Sequence, residues 1–254
     1  MLVDTHAHLH HPGVVERLDA VMEAAAAADV GRMVTVGCNA DDSVAAIAMA
    51  NRYDNVFATV GLHPHEADTL NQSQVRLSEL ATGSKVVAIG ECGLDYFRSA
   101  TQPAEQAAAF KFQIELAMQH SLPMVWHVRD AFDDFFAIVD QYPGVRGIVH
   151  CFTGSEDSMK KATDRGFLIA LNGIMTFSKD PEQRKAAQAV PLEYLVLETD
   201  CPFLAPVPMR GRPNEPAFIT ITAEFLSNLR GESVEDLARA TSQNAINLLG
   251  LKNV

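Results

Sequence analysis

The sequence predicts an α/β fold, a (β/α)8 TIM barrel, from three observations. The chain has 254 residues, close to the roughly 250 residues that are typical of such a barrel. Short runs rich in Val and Ile alternate with longer helical patterns along the whole chain, as expected for serial βα units. Ionisable residues follow several of the short runs, where a barrel gathers its catalytic groups. We therefore expect a single domain over residues 1–254.

Eight short apolar runs are predicted as strands, and each interval between their ends has the size of one βα unit. Right-handed crossovers between parallel strands place the intervening helices outside the barrel. The predicted strands are Leu2–His6, Met33–Gly37, Val56–Gly61, Val86–Gly90, Met124–His127, Gly147–His150, Phe167–Leu171 and Tyr194–Glu198.

The stretches between these strands are amphipathic or rich in alanine. Pro103 and Glu105 stand where a first helical turn tolerates proline and favours an acid. A proline-rich stretch from Cys201 to Pro216 is too long for an ordinary connector, so we expect it to cover an active site. The clearest helices are predicted at Val14–Asp29, Asp42–Asn51, Ser73–Leu80, Pro103–His120 and Asp130–Gln141, with two final helices at Pro216–Leu229 and Ser233–Leu249.

Composition excludes several classes of protein. With 48% hydrophobic and 20% charged residues, the chain resembles an average globular protein. It contains neither an apolar run of the roughly 20 residues that cross a bilayer nor a basic, apolar leader. We therefore expect a cytoplasmic protein without a membrane partner. A net charge of −12 argues against a protein that coats duplex nucleic acid, but leaves open an enzyme that admits only a strand end.

The four cysteines, Cys38, Cys92, Cys151 and Cys201, are far apart and form no Cys-x-x-Cys pair. This spacing argues against a zinc ribbon and against a thioredoxin-like redox motif. Small buried thiols are the expected state, and three of the four directly follow a candidate metal ligand.

Candidate metal ligands stand at the carboxyl ends of the predicted strands. His6 and His8 lie two residues apart on the first strand, so both point to the same face, and imidazole is a common metal ligand. Burying so many ionisable groups without compensation would cost several kcal/mol each. The pattern therefore predicts a metal site at the barrel mouth. The other candidates, each after an apolar run, are Glu91, His127, His150 and Asp200.

Several motifs, taken in order, resemble the TatD family of metal-dependent deoxyribonucleases. The resemblance spans nearly the whole chain, and Cys92 is a departure because the family commonly has an aliphatic residue there. The motifs are His6-Ala7-His8-Leu9, Gly61-Leu62-His63-Pro64-His65, Gly90-Glu91-Cys92-Gly93-Leu94-Asp95-Tyr96, His150-Cys151-Phe152-Thr153-Gly154, Glu198-Thr199-Asp200-Cys201-Pro202 and Arg210-Gly211-Arg212-Pro213-Asn214-Glu215-Pro216.

The resemblance implies a binuclear site on an amidohydrolase-like metal-dependent hydrolase barrel. It assigns one ion to His6, His8 and Asp200, and the other to His127 and His150, with Glu91 bridging the two. A set rich in neutral imidazole suits zinc, manganese or cobalt better than magnesium, yet the family's nucleases are usually described as magnesium-dependent. We therefore expect two divalent metal ions and leave Mg, Mn and Zn open.

Catalysis and substrate binding are assigned to a smaller set. Asp200 is the candidate proton acceptor as well as a ligand, and Glu91 is catalytic as the bridge. His63 is expected to orient a phosphate oxygen or to donate a proton to the leaving group. Arg129, Arg210 and Arg212 are candidate phosphate contacts because guanidinium binds phosphate in a bidentate manner.

Structural alternatives stand beside these assignments. His63 and His65 would organise a turn around Pro64, Arg129 would pair with Asp130 or Asp133, and Glu215 would pair with Arg210 or Arg212. Weaker substrate candidates are Tyr96, Thr153 and Asn172, whereas His10, His11 and His120 are expected to be bystanders.

Three functions remain open from the sequence. The first is a metal-dependent phosphodiesterase or deoxyribonuclease that removes nucleotides from single-stranded DNA ends, or acts on another nucleotide-containing phosphodiester, without an obligate protein partner. The second is an amidohydrolase-type enzyme that cleaves a small amide, lactone or ester. Many such enzymes use a carboxylated lysine to bridge their metals, whereas this chain has Glu91 at the corresponding strand end. The third, a non-enzymatic binding protein, conflicts with six intact candidate ligands.

Overall fold

Eight parallel strands form one sheet in sequence order, β1 to β8, as the fold prediction requires. The computed structural model describes residues 1–98 and 100–251. All eight predicted strands are present, which confirms the (β/α)8 barrel. Their ends shift by a few residues, and the fourth, predicted to end at Gly90, continues to Asp95. The strands are β1 (Leu2–Ala7), β2 (Val30–Thr35), β3 (Val56–Val60), β4 (Val86–Asp95), β5 (Met124–Arg129), β6 (Gly147–Val149), β7 (Leu168–Leu171) and β8 (Leu195–Leu197).

The barrel is closed between β1 and β8 by a bridge at their carboxyl ends. Ala7 forms an isolated parallel bridge with Cys201. The amide of Asp200 donates to the carbonyl of His6 at 2.8 Å, and the amide of His8 donates to the carbonyl of Cys201 at 2.8 Å. These bonds fix the backbone on both sides of two candidate ligands, so the closure also positions the site.

The helices surround the barrel, and they include two that the clearest sequence patterns do not predict, α7 and α8. Short 3-10 helices at Pro64–Thr69, Gly173–Thr176, Leu192–Tyr194 and Pro216–Phe218 add to them. The α-helices are α1 (Pro12–Val15), α2 (Leu18–Ala27), α3 (Ala40–Arg52), α4 (Leu70–Leu80), α5 (Pro103–His120), α6 (Phe132–Val139), α7 (Glu156–Thr163), α8 (Pro181–Ala189), α9 (Ile219–Arg230) and α10 (Val234–Leu249).

Two helix predictions are corrected in detail. The segment predicted as one helix from Val14 to Asp29 is divided into α1 and α2, because Arg17 leaves helical backbone with φ −133° and ψ 24°. The helix predicted to begin at Ser73 begins instead at Leu70, because α4 continues directly from the 3-10 helix at Pro64–Thr69. No helix of the described residues is both long and apolar enough to span a bilayer.

The core has two parts, one outside the strands and one inside the barrel. The outer part joins the strands to the helices and contains Trp126 and Phe110, both fully buried. The inner part is lined by one side chain from most strands, such as Val34, Val125 and Ile148, and α10 contributes Ala245 and Leu249 to it. Strands buried on both faces explain why the sequence shows continuous apolar runs rather than alternation.

Asp4 is a fully buried carboxyl group at the β1–β8 closure. Its oxygens lie 2.9 Å from the amide and 2.5 Å from the hydroxyl of Thr199, and burial raises its pKa to about 7. A carboxyl whose pKa is raised in the folded state binds its proton more tightly there than in the unfolded chain. It therefore lowers the free energy of unfolding as pH rises from the unfolded to the folded pKa.

We expect the free energy of unfolding of the metal-free protein to fall between about pH 4 and pH 7. Asp4→Asn should remove the part of that fall that is due to Asp4, on the order of a few kcal/mol. In the structure the hydroxyl of Thr199 donates to Asp4 Oδ2; with the NH₂ group of asparagine in that place, the hydroxyl would accept instead. Urea unfolding in EDTA at several pH values measures the effect. An unchanged pH slope in Asp4→Asn would show that Asp4 ionises in the folded protein as it does in water.

Candidate functional site

Glu91 reaches the barrel mouth on a segment where β3 and β4 approach each other closely. A Cβ added at Gly61 would lie 2.3 Å from the carbonyl carbon of Gly90, and Gly90 itself has a φ of +150°. Neither position can take a larger residue without moving the backbone. The two glycines thus explain how Glu91 comes to lie among side chains from other strands.

Four imidazoles from four strand ends surround the Glu91 carboxylate. Glu91 Oε1 lies 2.9 Å from His127 Nδ1, 3.5 Å from His63 Nε2 and 3.6 Å from His150 Nε2. Glu91 Oε2 lies 3.4 Å from His6 Nε2. Both carboxylate oxygens therefore face imidazole nitrogens, on opposite sides of the group.

Asp200 is a second carboxylate that faces histidine rings, beside Glu91. Its Oδ1 lies 3.4 Å from His8 Nε2 and 3.7 Å from His6 Nε2. His6 is thus shared between the two carboxylates. The structure brings all six predicted ligands to one place, in three overlapping groups whose ligand atoms lie within 4.8 Å of one another. The groups are His6, His8 and Asp200; His6, Glu91 and His150; and His63, Glu91 and His127.

His6 tests whether these residues fit a metal ion. Its ring is fully buried, yet neither ring nitrogen has a hydrogen-bond partner. A buried polar group without a partner costs free energy. Its ring also stacks on His150 at a centroid distance of 3.5 Å, an arrangement that disfavours charge on both rings. An uncharged imidazole with a free nitrogen is the form that ligates a divalent ion, so the donor set fits.

Two buried carboxylates orient the imidazoles of His127 and His150. Asp95 Oδ2 lies 3.0 Å from His127 Nε2, and Glu198 lies 3.0 Å from His150 Nδ1. Each carboxylate accepts from one nitrogen and leaves the other directed toward Glu91. This is the pattern in which a carboxylate fixes the tautomer of a metal-binding histidine.

His63 has a different tautomer and hence a different role. Its Nδ1 accepts a hydrogen bond from the amide of His65 at 3.1 Å, which caps the 3-10 helix at Pro64–Thr69. A neutral ring that accepts at Nδ1 carries its proton on Nε2, the atom that faces Glu91. His63 therefore does organise the turn, as the structural alternative expects, and also presents an N–H donor to the site.

The charges in the site are strongly coupled. Burial alone would raise the pKa of Glu91, but His150, His63 and His6 outweigh it and hold the pKa well below its usual range. Burial would lower the pKa of His8 and His150, yet Asp200 raises the former to about 8 and Glu198 with Glu91 raises the latter to about 9. Without a cation, this cluster therefore retains protons at neutral pH that a divalent ion would displace.

The cluster lies in a pocket of about 470 Å³ that opens at the carboxyl ends of the strands. Arg129 lines this pocket and donates to Thr153 Oγ1 at 3.0 Å. Its Nε is 3.9 Å from Asp130, so the salt-bridge alternative is also present in a weak form. Arg98 lines the pocket as well. Two guanidinium groups therefore stand beside an anionic centre.

A family model described as "TatD related DNase" matches residues 3–250 of this chain. The chain belongs to the TatD family. It is 37% identical over 248 residues to the uncharacterized metal-dependent hydrolase YabD of Bacillus subtilis, an alignment that covers 96% of this chain and 97% of that one. It is 38% identical over 245 residues to the 3'-5' ssDNA/RNA exonuclease TatD of Cronobacter sakazakii, covering 92% of each.

A solved structure agrees with these relatives. The crystal structure of YjjV, a TatD homologue from Escherichia coli, superposes with a TM-score of 0.92 at 29% identity and covers 98% of both chains. The resemblance predicted from the motifs is confirmed, and this TatD-family chain is a metal-dependent hydrolase.

The predicted arginine pair of this TatD-family hydrolase does not reach the pocket. Arg210 Nη1 donates to the carbonyl of Ala205 at 3.1 Å, and its guanidinium carbon lies 4.1 Å from the centre of the Phe177 ring. Arg212 is exposed, and neither guanidinium is among the described residues that line the pocket. Glu215 pairs with Arg17 at 2.8 Å, so its expected pairing with Arg210 or Arg212 is wrong. The loop makes its own packing contacts and turns these side chains away.

The weaker substrate candidates Tyr96, Thr153 and Asn172, and the expected bystander His10, lie in different places. Thr153 lines the pocket, whereas Asn172 is buried and donates to Glu198 at 2.9 Å. Tyr96 is exposed and its hydroxyl donates to Asp134 at 2.7 Å. His10 contacts Thr35 and Asp42, both at 2.9 Å. Of these four, the structure places only Thr153 at the pocket.

The sequence reasoning missed Asp95, Glu198 and Arg98 as site residues. Asp95 and Glu198 occur in the motifs that contain Glu91 and Asp200, and each lies within four residues of that candidate ligand at a strand end, which is the available signal. Cys38 was also missed: its thiol lies 3.7 Å from Glu91 Oε2, and burial raises its pKa well above the usual value. A cysteine after a strand gives no comparable signal by itself.

Asp95→Asn is expected to lower metal affinity about 10- to 100-fold, the usual effect of changing a ligand's orienting partner. Asp95 Oδ1 accepts from the amides of Phe97 and Arg98 at 2.9 and 2.8 Å, so the oxygen of asparagine will stay there. Its NH₂ group would then face His127 Nε2 and move the ring proton to Nδ1. Calorimetric titration with Mn²⁺ measures the loss.

The matched control is Asp134→Asn, since Asp134 accepts from Tyr96 outside the pocket. Equal affinities of wild type and Asp95→Asn would mean that His127 is not held by Asp95 when the ion binds.

Proposed function

We propose that this TatD-family hydrolase is a metal-dependent exonuclease that cleaves phosphodiester bonds at single-stranded DNA ends through two divalent ions. The observation that carries the proposal is the position of Glu91, with imidazole nitrogens facing both of its oxygens. His6, His8 and Asp200 would hold one ion, His127 and His150 the other, and Glu91 would bridge them.

The donor set supports this division. Glu91 and Asp200 supply two negative charges against four positive charges from two divalent ions, so the loaded centre favours an anionic substrate. Among the described residues that line the pocket none is a lysine, which disfavours a carboxylated-lysine bridge of the amidohydrolase kind. When bound, the ions supply Lewis-acid charge that activates water and stabilises negative charge on the phosphoryl oxygens.

Residues of the chain itself have the other roles in the reaction. Asp200, which lines the pocket, accepts the proton from the attacking water. His63 donates a hydrogen bond from Nε2 to a phosphate oxygen. Burial lowers the pKa of His63, so the neutral ring orients the phosphate and is a poor source of a proton for the leaving group. Arg129 and Arg98 bind the neighbouring phosphate, as guanidinium groups do.

Single-stranded ends fit the shape and the charge of the molecule. A pocket of about 470 Å³ has the size of a small-ligand site, and a duplex cannot place its scissile phosphate at the bottom of it without separating its strands. A net charge of −12 disfavours long-range attraction of duplex DNA. The similar Cronobacter protein, named a 3'-5' ssDNA/RNA exonuclease, supports a 3' start and makes RNA a second substrate to test.

The test is degradation of single-stranded DNA and RNA oligonucleotides of one sequence, labelled at the 5' end, with Mg²⁺, Mn²⁺, Zn²⁺ or EDTA. A ladder that shortens from the 3' end, needs a divalent ion and is absent in Glu91→Gln is the expected result. Intact oligonucleotides with every ion, in protein that binds two ions per chain, would overturn the nuclease. Hydrolysis of an amide, lactone or ester panel would then identify the small-molecule hydrolase instead.

A further inference from the structure

Two exposed phenylalanines stand at the mouth of the barrel. Phe97 follows β4 and is 56% exposed, and Phe203 follows β8 and is 49% exposed. Neither belongs to the two core clusters of the described residues. A large exposed aromatic ring beside a polar pocket contributes little to stability, so its position calls for another explanation.

The topology places the two rings on opposite sides of the pocket. Strands β1 to β8 are neighbours in sequence order, so β4 and β8 are four strands apart around a ring of eight. A ligand at the centre, above Glu91, therefore has one aromatic ring on either side.

Each ring is held beside residues that line the pocket. Phe203 lines the pocket itself and meets His8 and His11 edge to face, at centroid distances of 5.8 and 5.5 Å. The guanidinium carbons of Arg129 and Arg98 lie 5.0 and 5.5 Å from the centre of the Phe97 ring. Two cations at one ring give that side of the mouth an aromatic surface together with phosphate-binding charge.

We propose that Phe97 and Phe203 stack on the nucleobases that flank the scissile phosphodiester. This assignment rests on the proposed function, because it takes a single-stranded nucleic acid as the ligand. Aromatic side chains and positive charge are the combination by which proteins hold single strands without reading their sequence. Phe203 binds the base on the β8 side, while Phe97 binds the base on the β4 side and its two arginines contact the adjoining phosphate.

The first experiment combines substitutions of the two phenylalanines with removal of bases from the substrate, in the manner of a double-mutant cycle. Phe97→Leu and Phe203→Leu are each expected to raise KM for a single-stranded oligonucleotide roughly tenfold, with a smaller change in kcat. Removing the two terminal bases, so that only the sugar–phosphate chain remains, removes both stacking contacts and should raise the wild-type KM by the product of the two effects, roughly 100-fold. With that abasic substrate the leucine variants should match wild type. Phe97→Trp and Phe203→Trp should retain wild-type values.

The second experiment separates stacking from cleavage. Binding of the same two oligonucleotides is measured by fluorescence anisotropy in a Glu91→Gln background, with and without each leucine substitution. Val207→Ala, at a residue that is 46% exposed on the same loop as Phe203, is the control and should change neither KM nor binding.

The outcomes distinguish the two proposals. Base-dependent binding that the leucine variants lose, without cleavage by any metal-loaded form, would keep the stacking assignment and overturn the nuclease. Cleavage with equal KM for wild type and the leucine variants, or for intact and abasic substrates, would overturn the stacking and keep the nuclease. The absence of both binding and cleavage would overturn both.

Discussion

Glu91→Gln is expected to lower kcat/KM at least about 10³-fold, since a bound cation contributes several kcal/mol of charge stabilisation and about 1.4 kcal/mol corresponds to tenfold. Glutamine keeps the shape of the side chain but removes the charge that both ions would share in the proposed site. It also brings an NH₂ group toward imidazole nitrogens that now face a carboxylate at 2.9 to 3.6 Å. We therefore expect the bound metal to fall from two ions per chain to one or none.

Metal content after dialysis, together with steady-state cleavage, measures both effects. Glu115→Gln is the matched control, because Glu115 is exposed on α5 and accepts a hydrogen bond from Tyr142. If Glu91→Gln kept two ions and most of its activity, Glu91 would not bridge them, and the division of ligands would have to change.

The strands were predictable because the barrel buries them on both faces. Apolar runs such as Leu168–Leu171 are continuous and short, a pattern that the period of a helix does not produce. Ligands at strand ends were predictable for the same reason: an ionisable residue that follows a buried run has only the mouth of the barrel to occupy. The position of the helices around the barrel then follows from the handedness of the crossovers.

Contacts between different strand ends were not predictable in the same way. Asp95 contacts His127 because β4 and β5 pair with Asp95 opposite Arg129 and Gly93 opposite His127. A shift of the register by one residue would turn Asp95 away from that ring. The hydrophobic pattern of a strand buried on both faces does not determine such a register, so nothing in the sequence favours Asp95 over its neighbours.

The loops are the least predictable part of the site. Arg210 and Arg98 both occur in irregular segments, yet the first packs on Phe177 and the second lines the pocket. Which one faces the pocket depends on local packing, which no periodicity describes. The prediction of phosphate contacts from residue type alone therefore selected a pair that lies outside the pocket and missed one residue inside it.

The two carboxylates after β8 show where strand periodicity fails. Glu198 and Asp200 lie two residues apart, so in a regular strand they would share one face. Asp200 instead has a φ of +59°, which leaves extended backbone and turns its side chain into the pocket. Glu198 is fully buried and accepts from His150, Cys151 and Asn172. The sequence pattern assigns a role to Asp200 only, because the periodicity of a strand could not show that Glu198 takes a different, buried position.

The different positions of Glu198 and Asp200 predict different effects on activity when each is substituted. Asp200→Asn is expected to lower kcat about 10²- to 10⁴-fold, the usual contribution of a general base. It should also lower the affinity for the ion that the proposed site would hold with His6 and His8. Glu198→Gln, by contrast, should lower activity only about 10- to 100-fold, because glutamine can still accept from His150 and only the orientation of that ring is weakened. Single-turnover cleavage at saturating Mn²⁺ measures the difference.

Saturating metal is what makes the comparison decisive. At high Mn²⁺ the loss in Glu198→Gln should largely recover, since a positioning residue acts through affinity for the ion. The loss in Asp200→Asn should persist, because added metal does not replace a proton acceptor. Recovery of Asp200→Asn by metal alone would show that Asp200 is only a ligand and that another group takes the proton. His63 is not that group, because its Nδ1 accepts from the amide of His65 and its Nε2 already carries a proton.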